Sequence, residues 1–176
     1  MLKKFLILFM GLTFLLTSCQ GKEKQAEKQK ILDSLKSDFT SGIHIMYEDV
    51  EAYGVINKEN EDNFDIYFTS PESLRDISIT LMDKKAKISY KDFSFTMGNE
   101  NVVEKTAVAI AEKVFNSLLE EKGAEIHFID NNIVIEGNTG EAEFSIVINL
   151  EEGNMMKLEI PSQKFSMEFN NFTIKR

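Results

Sequence analysis

From Ile43 almost to the last residue, apolar side chains recur at every second position, and a single stretch of helical period interrupts the series. This pattern is the strongest constraint on the fold. A strand with one apolar and one wet face must pair with neighbours and lay its apolar face on something. Ile43, Ile45 and Tyr47 alternate with His44, Met46 and Glu48. Phe64, Ile66 and Phe68 repeat the alternation, as do Ile77, Ile79 and Leu81, then Ile88 and Tyr90, then Phe93, Phe95 and Met97. Polar or turn-forming breaks fall at Asn57–Asn63, Ser70–Asp76 and Asp83–Lys85, and Pro71 suits such a break because it cannot serve a central ladder.

The interruption is Val102–Leu119. Val103, Ala107, Ile110, Val114 and Leu118 form one helical stripe, which Val108, Ala111, Phe115 and Leu119 widen. Asn101 with Glu104 resembles a capping box, and Gly123 is a C-terminal stop. So wide an apolar arc predicts cover on more than one side. Alternation then resumes through Ile126 and Phe128, Ile133–Ile135, Ala142–Leu150, Met156–Ile160, Phe165–Phe169, and Phe172 with Ile174. Short links favour antiparallel hairpins. The expectation is an α+β domain of nine or ten strands: a curved antiparallel β-sheet, an open half-barrel, wrapped on one main helix.

The first nineteen residues have another character. Lys3 and Lys4 precede an apolar run, Phe5–Leu16, which ends in Leu16-Thr17-Ser18-Cys19. A basic start, a short apolar segment and small residues before a cleavage point mark a secretory signal peptide. The run is too short to span a bilayer, which takes roughly 20 apolar residues. Leu-Thr-Ser-Cys resembles the bacterial lipobox. That resemblance implies cleavage before Cys19 and a diacylglyceryl group on its thiol, with further acylation such as palmitate. Two acyl chains suffice for stable anchoring where one does not.

The expected organisation is a signal peptide at 1–18, then lipidated Cys19 with a tether and short helix to residue 41, then one domain from 42 to 176. Gly21–Lys30 is polar and alternates charge, whereas Ile31, Leu32, Leu35 and Phe39 recur at helical spacing before Gly42. Cys19 is the only cysteine, so a mature chain could hold no disulfide and must rest on its core. Loss of residues 1–18, which carry two lysines and no acid, takes the formal charge from −9 to −11. An acidic surface disfavours nucleic acid, whose phosphates are bound chiefly through Lys and Arg.

The stretch FDIYFTSPESLRDISITLMDKKAKISYKDFSF, Phe64–Phe95, links three strands through an S-P-x-x-L turn. Together with the lipobox, the helix and the closing FSMEFNNFTI, it resembles small lipoproteins of Gram-positive, often spore-forming bacteria. These fall in the LolA/LppX-like half-barrel group. The resemblance implies an unclosed barrel on helices, placed at the extracytoplasmic face of the cell membrane. Some relatives hold acyl chains in an apolar cavity, while others act as partners of envelope or spore proteins.

Motifs for catalysis are missing: no G-x-S-x-G, S-x-x-K or phosphate-cradling glycine loop occurs. The two histidines, His44 and His127, fall on the polar phase of their strands and are expected to be solvated. Acidic groups at Glu48-Asp49, Glu59–Asp62 and Glu151-Glu152 lack calcium-loop spacing and read as wet loops. No catalytic, cofactor or metal residue is assigned, and the chain is expected not to be an enzyme. The 14 Phe and eight Met remain. Met97, Met155, Met156 and Met167 could line a cavity or fill a core.

Two functions stand side by side. One is a lipoprotein that holds a lipid or other apolar ligand in the half-barrel. The other is an interaction lipoprotein with a filled interior that docks another envelope or spore protein, for which a sheet edge would serve. An apolar cavity of ~300 Å³ or more favours the first, and close packing favours the second.

Overall fold

The computed structural model describes residues 35–60, 63–82, 85–98, 106–119 and 124–175. Cys19, the signal segment, the tether and Asn101, Glu104 and Gly123 lie outside the described residues. The chain divides into two compact units, Met1–Leu35 and Lys36–Arg176. Only Leu35 of the first is described, and the fold below is that of the second.

Among the described residues eleven strands form one antiparallel sheet. They are β1 (Phe39–Tyr47), β2 (Val50–Glu59), β3 (Asn63–Ser70), β4 (Ile77–Met82), β5 (Lys85–Tyr90) and β6 (Phe93–Met97), then β7 (Glu125–Ile129), β8 (Asn132–Asn138), β9 (Glu143–Asn149), β10 (Met155–Ile160) and β11 (Phe165–Ile174). The spatial order is β6-β5-β4-β3-β2-β1-β11-β10-β9-β8-β7, so each strand pairs with a sequence neighbour except where β1 meets β11. A helix, α1 (Ala107–Leu119), connects the two edge strands, and the curved sheet stays open between them. This is the α+β open half-barrel that the alternation predicts.

Register carries the inner face across the sheet in rows. One row runs Met97, Ala86, Leu81, Phe64, Lys58 and Phe39 from β6 to β1. Another runs Ile45, Met167, Leu158, Ile146 and Ile135 from β1 to β8, every member buried. α1 lies over this face, touching β3 and β4 on one arm and β8 on the other. Val108, Ala109, Ile110, Ala111, Val114, Phe115 and Leu118 are all buried, as the wide arc demands. Its first turn is capped by the Thr106 hydroxyl, which accepts from the Ala109 N–H at 3.3 Å.

The core centres on Phe39. Its ring lies 5.6 Å from Phe115, 6.5 Å from Phe169 and 4.7 Å from Phe172, and Phe115 in turn stacks on Phe64. Each such side chain contributes about 1.5–3 kcal/mol on burial, with offset and edge-on ring contacts adding to it. Lys58 is buried in the same row, with 0% exposure. Its ammonium donates to the Lys36 carbonyl at 2.9 Å, while its apolar stem lies in the row between Phe39 and Phe64. No buried side-chain N or O atom among the described residues lacks a partner.

Three expectations need correction. The helix read over Ile31–Phe39 does not reach Phe39. Leu35 and Lys36 are helical, but Phe39 opens β1, where pairing with Lys58 and Ile174 on both sides outweighs its helical spacing. Gly42 accordingly lies inside β1 rather than at a helix end. β2 is a strand the alternation does not announce, because its inward positions are Ala52, Gly54, Ile56 and Lys58. It also runs to Glu59, into the predicted break. Finally, Met155 and not Met156 shares the inner face with Leu158 and Ile160. The pairing with β9 slips between Met155 and Lys157, which buries Met155 and leaves Met156 exposed.

Candidate functional site

The inner face is most exposed at one end, although Phe128 of β7 at the other edge is also 41% exposed. On the β4–β6 arm the rows beyond Leu81 and Ala86 run Ile79, Ile88 and Phe95, then Ile77, Tyr90 and Phe93. Ile77, Ile79 and Ile88 are half-buried, while Tyr90 is 45%, Phe95 57% and Phe93 79% exposed. The alternation places all six on the apolar phase, and register puts them on one surface, so their exposure creates a shelf of aromatic and β-branched side chains. Contiguous apolar exposure rimmed by polar residues marks interaction surfaces. Lys91 and Asp92, in the turn between β5 and β6, are the exposed polar residues at the end of the shelf. Lys91 also sits 5.0 Å from the centroid of the Tyr90 ring.

The outer face carries a second cluster. His44 of β1 pairs directly with Tyr53 of β2 and with Glu168 of β11. Its ring stacks on Tyr53, centroids 4.4 Å apart and planes within 5°. His44 Nε2 lies 2.9 Å from Glu51, Nδ1 lies 3.4 Å from Glu168, and the Tyr53 hydroxyl donates to Glu51 at 2.8 Å. The Tyr53 hydrogen bond, followed by that of His44, holds the Glu51 carboxyl below the usual range. The same bond pushes the Tyr53 phenol up. His44 is thus a half-buried member of a polar cluster and not a freely solvated side chain. His127 matches its expectation better, half-exposed and 3.5–3.6 Å from Glu136 and Glu125.

Of the methionines, Met155 and Met167 are buried, Met97 is half-buried and Met156 exposed. Of these four, Met156 alone lines one of the clefts bounded by described residues. Glu48 and Asp49 lie in the β1–β2 turn, Glu59 pairs with Lys175 at 2.9 Å, and Glu151 and Glu152 cap their turn through Asn149, while Glu61 and Asp62 lie outside the described residues. No group of three or more His, Cys, Asp or Glu among the described residues is placed to hold a metal. Three clefts bounded by described residues, of about 400, 350 and 340 Å³, open to solvent. Their walls mix polar and apolar surface, with Glu125, Glu136 and Glu143 beside Phe144 in the first and Asn57, Glu59 and Asp65 in the last. None is an enclosed apolar cavity. No described helix is long and apolar enough to cross a membrane.

The open α+β half-barrel architecture recurs among solved structures. A chain in the complex of the CwlD amidase with the GerS lipoprotein from Clostridioides difficile has this fold, with a TM-score of 0.53 at 14% identity over 88% of this chain and 95% of its own. So does an uncharacterized conserved protein from Thermus thermophilus, with a TM-score of 0.53 at 10% identity over 88% of each chain. A LolA superfamily protein from Nitrosomonas europaea is more distant, with a TM-score of 0.41 at 10% identity over 84% and 93% of the two chains. At these identities the likeness is one of fold. No protein-family model matches the chain, and no curated protein matches it in sequence.

Proposed function

We propose that this chain is a non-enzymatic lipoprotein of the extracytoplasmic membrane surface, anchored through lipid on Cys19, that docks another envelope protein. One observation favours docking over carriage. The half-barrel is filled by α1 and the Phe39, Phe64, Phe115 and Phe169 rings, while apolar side chains stand exposed on the β5–β6 shelf. Close packing among the described residues favours a filled interior over an acyl-chain cavity, and exposed aromatic residues are what protein interfaces use as anchors. A solved structure of this fold is a complex with the GerS lipoprotein, which supports the reading by analogy of fold only.

The test is photo-crosslinking in the producing bacterium, with a benzophenone amino acid placed at Phe93 and, as control, at exposed Glu143. The expected result is a discrete protein adduct from position 93 alone. Adducts only with lipid from position 93 would sink the docking reading and revive the carrier. Native and denaturing masses of the full chain in detergent complete the comparison. A native mass that exceeds the denatured one by a lipid identifies cargo, and equal masses identify a filled barrel.

A further inference from the structure

The two strands that end the sheet are built differently. β7 carries Glu125 and His127 on its outer phase, so its edge is charged. β6 reads Phe93-Ser94-Phe95-Thr96-Met97. It has no charged residue and no proline, and its register against β5 has no shift. Sheets blunt their edges with lysine, proline, bulges or a cover because a bare edge templates another strand. Among the described residues β6 uses none of these devices, and no strand lies beyond it.

Charge supplies a second, independent observation. Residues 85–98 hold Lys85, Lys87 and Lys91 against a single acid, Asp92, in a chain of formal charge −9. None of the three lysines makes an ion pair among the described residues. Lys85 and Lys87 lie on the outer phase of β5, where Lys87 is opposite Thr96 and Ser89 is opposite Ser94. The edge is therefore apolar on its inner face and basic just behind its outer one.

Resting on the docking reading above, we propose that β6 accepts an extended segment of the partner protein as an additional strand, and that this segment alternates apolar with acidic residues. Its backbone would lie about 4.8 Å beyond β6. Its apolar side chains would fall beside Phe93 and Phe95 as cross-strand neighbours. Its carboxylates would fall on the outer face, roughly 10 Å from β5 at two strand spacings. Ser94 and Thr96 are short, so the long stem of Lys87 can lean across them to meet a glutamate. A second copy paired through its own β6 would bring no carboxylate to the lysines, because that strand holds no charged residue. An anionic bilayer would need aromatic rings and lysines on one plane, whereas register puts them on opposite faces of the sheet.

The full chain in dodecyl maltoside tests this against fluorescein-labelled ten-residue peptides. One alternates valine with glutamate, one alternates valine with lysine, and one is the first with prolines at three valine positions. Anisotropy is expected to saturate with the first peptide, with binding at least tenfold weaker for the other two. The exposed-site variant K85E/K87E should weaken the first peptide at least tenfold and favour the second. Equal binding of the glutamate and lysine peptides, no binding to any of them, or an unchanged affinity in K85E/K87E would overturn the proposal. So would binding confined to phosphatidylglycerol vesicles, or a dimer that F95D dissolves. A protein adduct at Phe93 with no peptide binding would leave the docking reading standing and remove strand addition alone.

Discussion

Phe64 of β3 lies against Phe115 of α1 with ring centroids 5.6 Å apart and planes 26° apart, both rings fully buried. Phe115 is equally far from Phe39 of β1, so one helical side chain fastens α1 to two strands that another strand separates.

Removing that ring should be costly. Phe115→Ala loses the buried area and leaves a cavity, and is expected to destabilise the domain by about 3–5 kcal/mol. Urea unfolding followed by far-UV circular dichroism measures it. A loss below about 1 kcal/mol would mean that the helix is not held by this contact.

Two glycines should answer the same substitution with opposite signs. A Cβ at Gly54 would press into the backbone carbonyl of Tyr67 on the paired strand, whereas a Cβ at Gly98 meets nothing within 4 Å. Gly54→Ala is expected to cost roughly 1–3 kcal/mol, since neither ladder strand can step aside. Gly98→Ala is expected to be neutral or to stabilise by up to about 1 kcal/mol, through a less flexible unfolded chain. Thermal melts of the two variants side by side make the comparison.

Tyrosine ionisation should report the outer-face cluster. Tyr53 is raised above its ordinary value of 10.0 by its bond to Glu51, and Tyr67 by its bond to Asp76. E51Q should return one of the four tyrosines towards 10, D76N a second, and the double variant both, as read by absorbance at 295 nm. The signs for stability follow by linkage. The contribution of the two tyrosines is present below pH 10 and fades as pH rises through their raised values. That of Glu51, whose pKa is lowered, is present above its ordinary 4.5 and fades as pH falls through the lowered value.

The proposed anchor makes a cellular prediction. Cys19→Ser should abolish incorporation of labelled palmitate and move the chain from the membrane pellet to the soluble fraction. Membrane retention of this variant at full yield would remove lipid as the anchor.

Most of the sheet was legible because period two is a direct consequence of pleat, and ten of the eleven strands carry it. β2 was not legible. Its inward positions are Ala52, Gly54, Ile56 and Lys58, and only the position of the partners shows why small residues and a lysine serve there. The Met155 slip was hidden for a related reason, since a bulge moves the phase by one residue without a turn signal. The shelf was half legible. Alternation placed Tyr90, Phe93 and Phe95 on the apolar phase, but exposure depends on how far α1 extends over the arm, which no local pattern records. The His44 cluster was illegible, because Glu51 and Glu168 come to it through register on both sides.

The meeting of β1 with β11 has a consequence for how the chain can be made. His44 and Glu168 face each other across that boundary although 124 positions separate them. A polypeptide made from its amino end can zip β1 to β6 as it emerges, each strand onto its predecessor. It cannot close the middle of the sheet until β11 has emerged. Low separation within each half favours fast pairing, while the central joint waits on the loop between the halves. β11 thus joins the two halves, and a chain truncated before Phe165 would hold two ribbons with no spine.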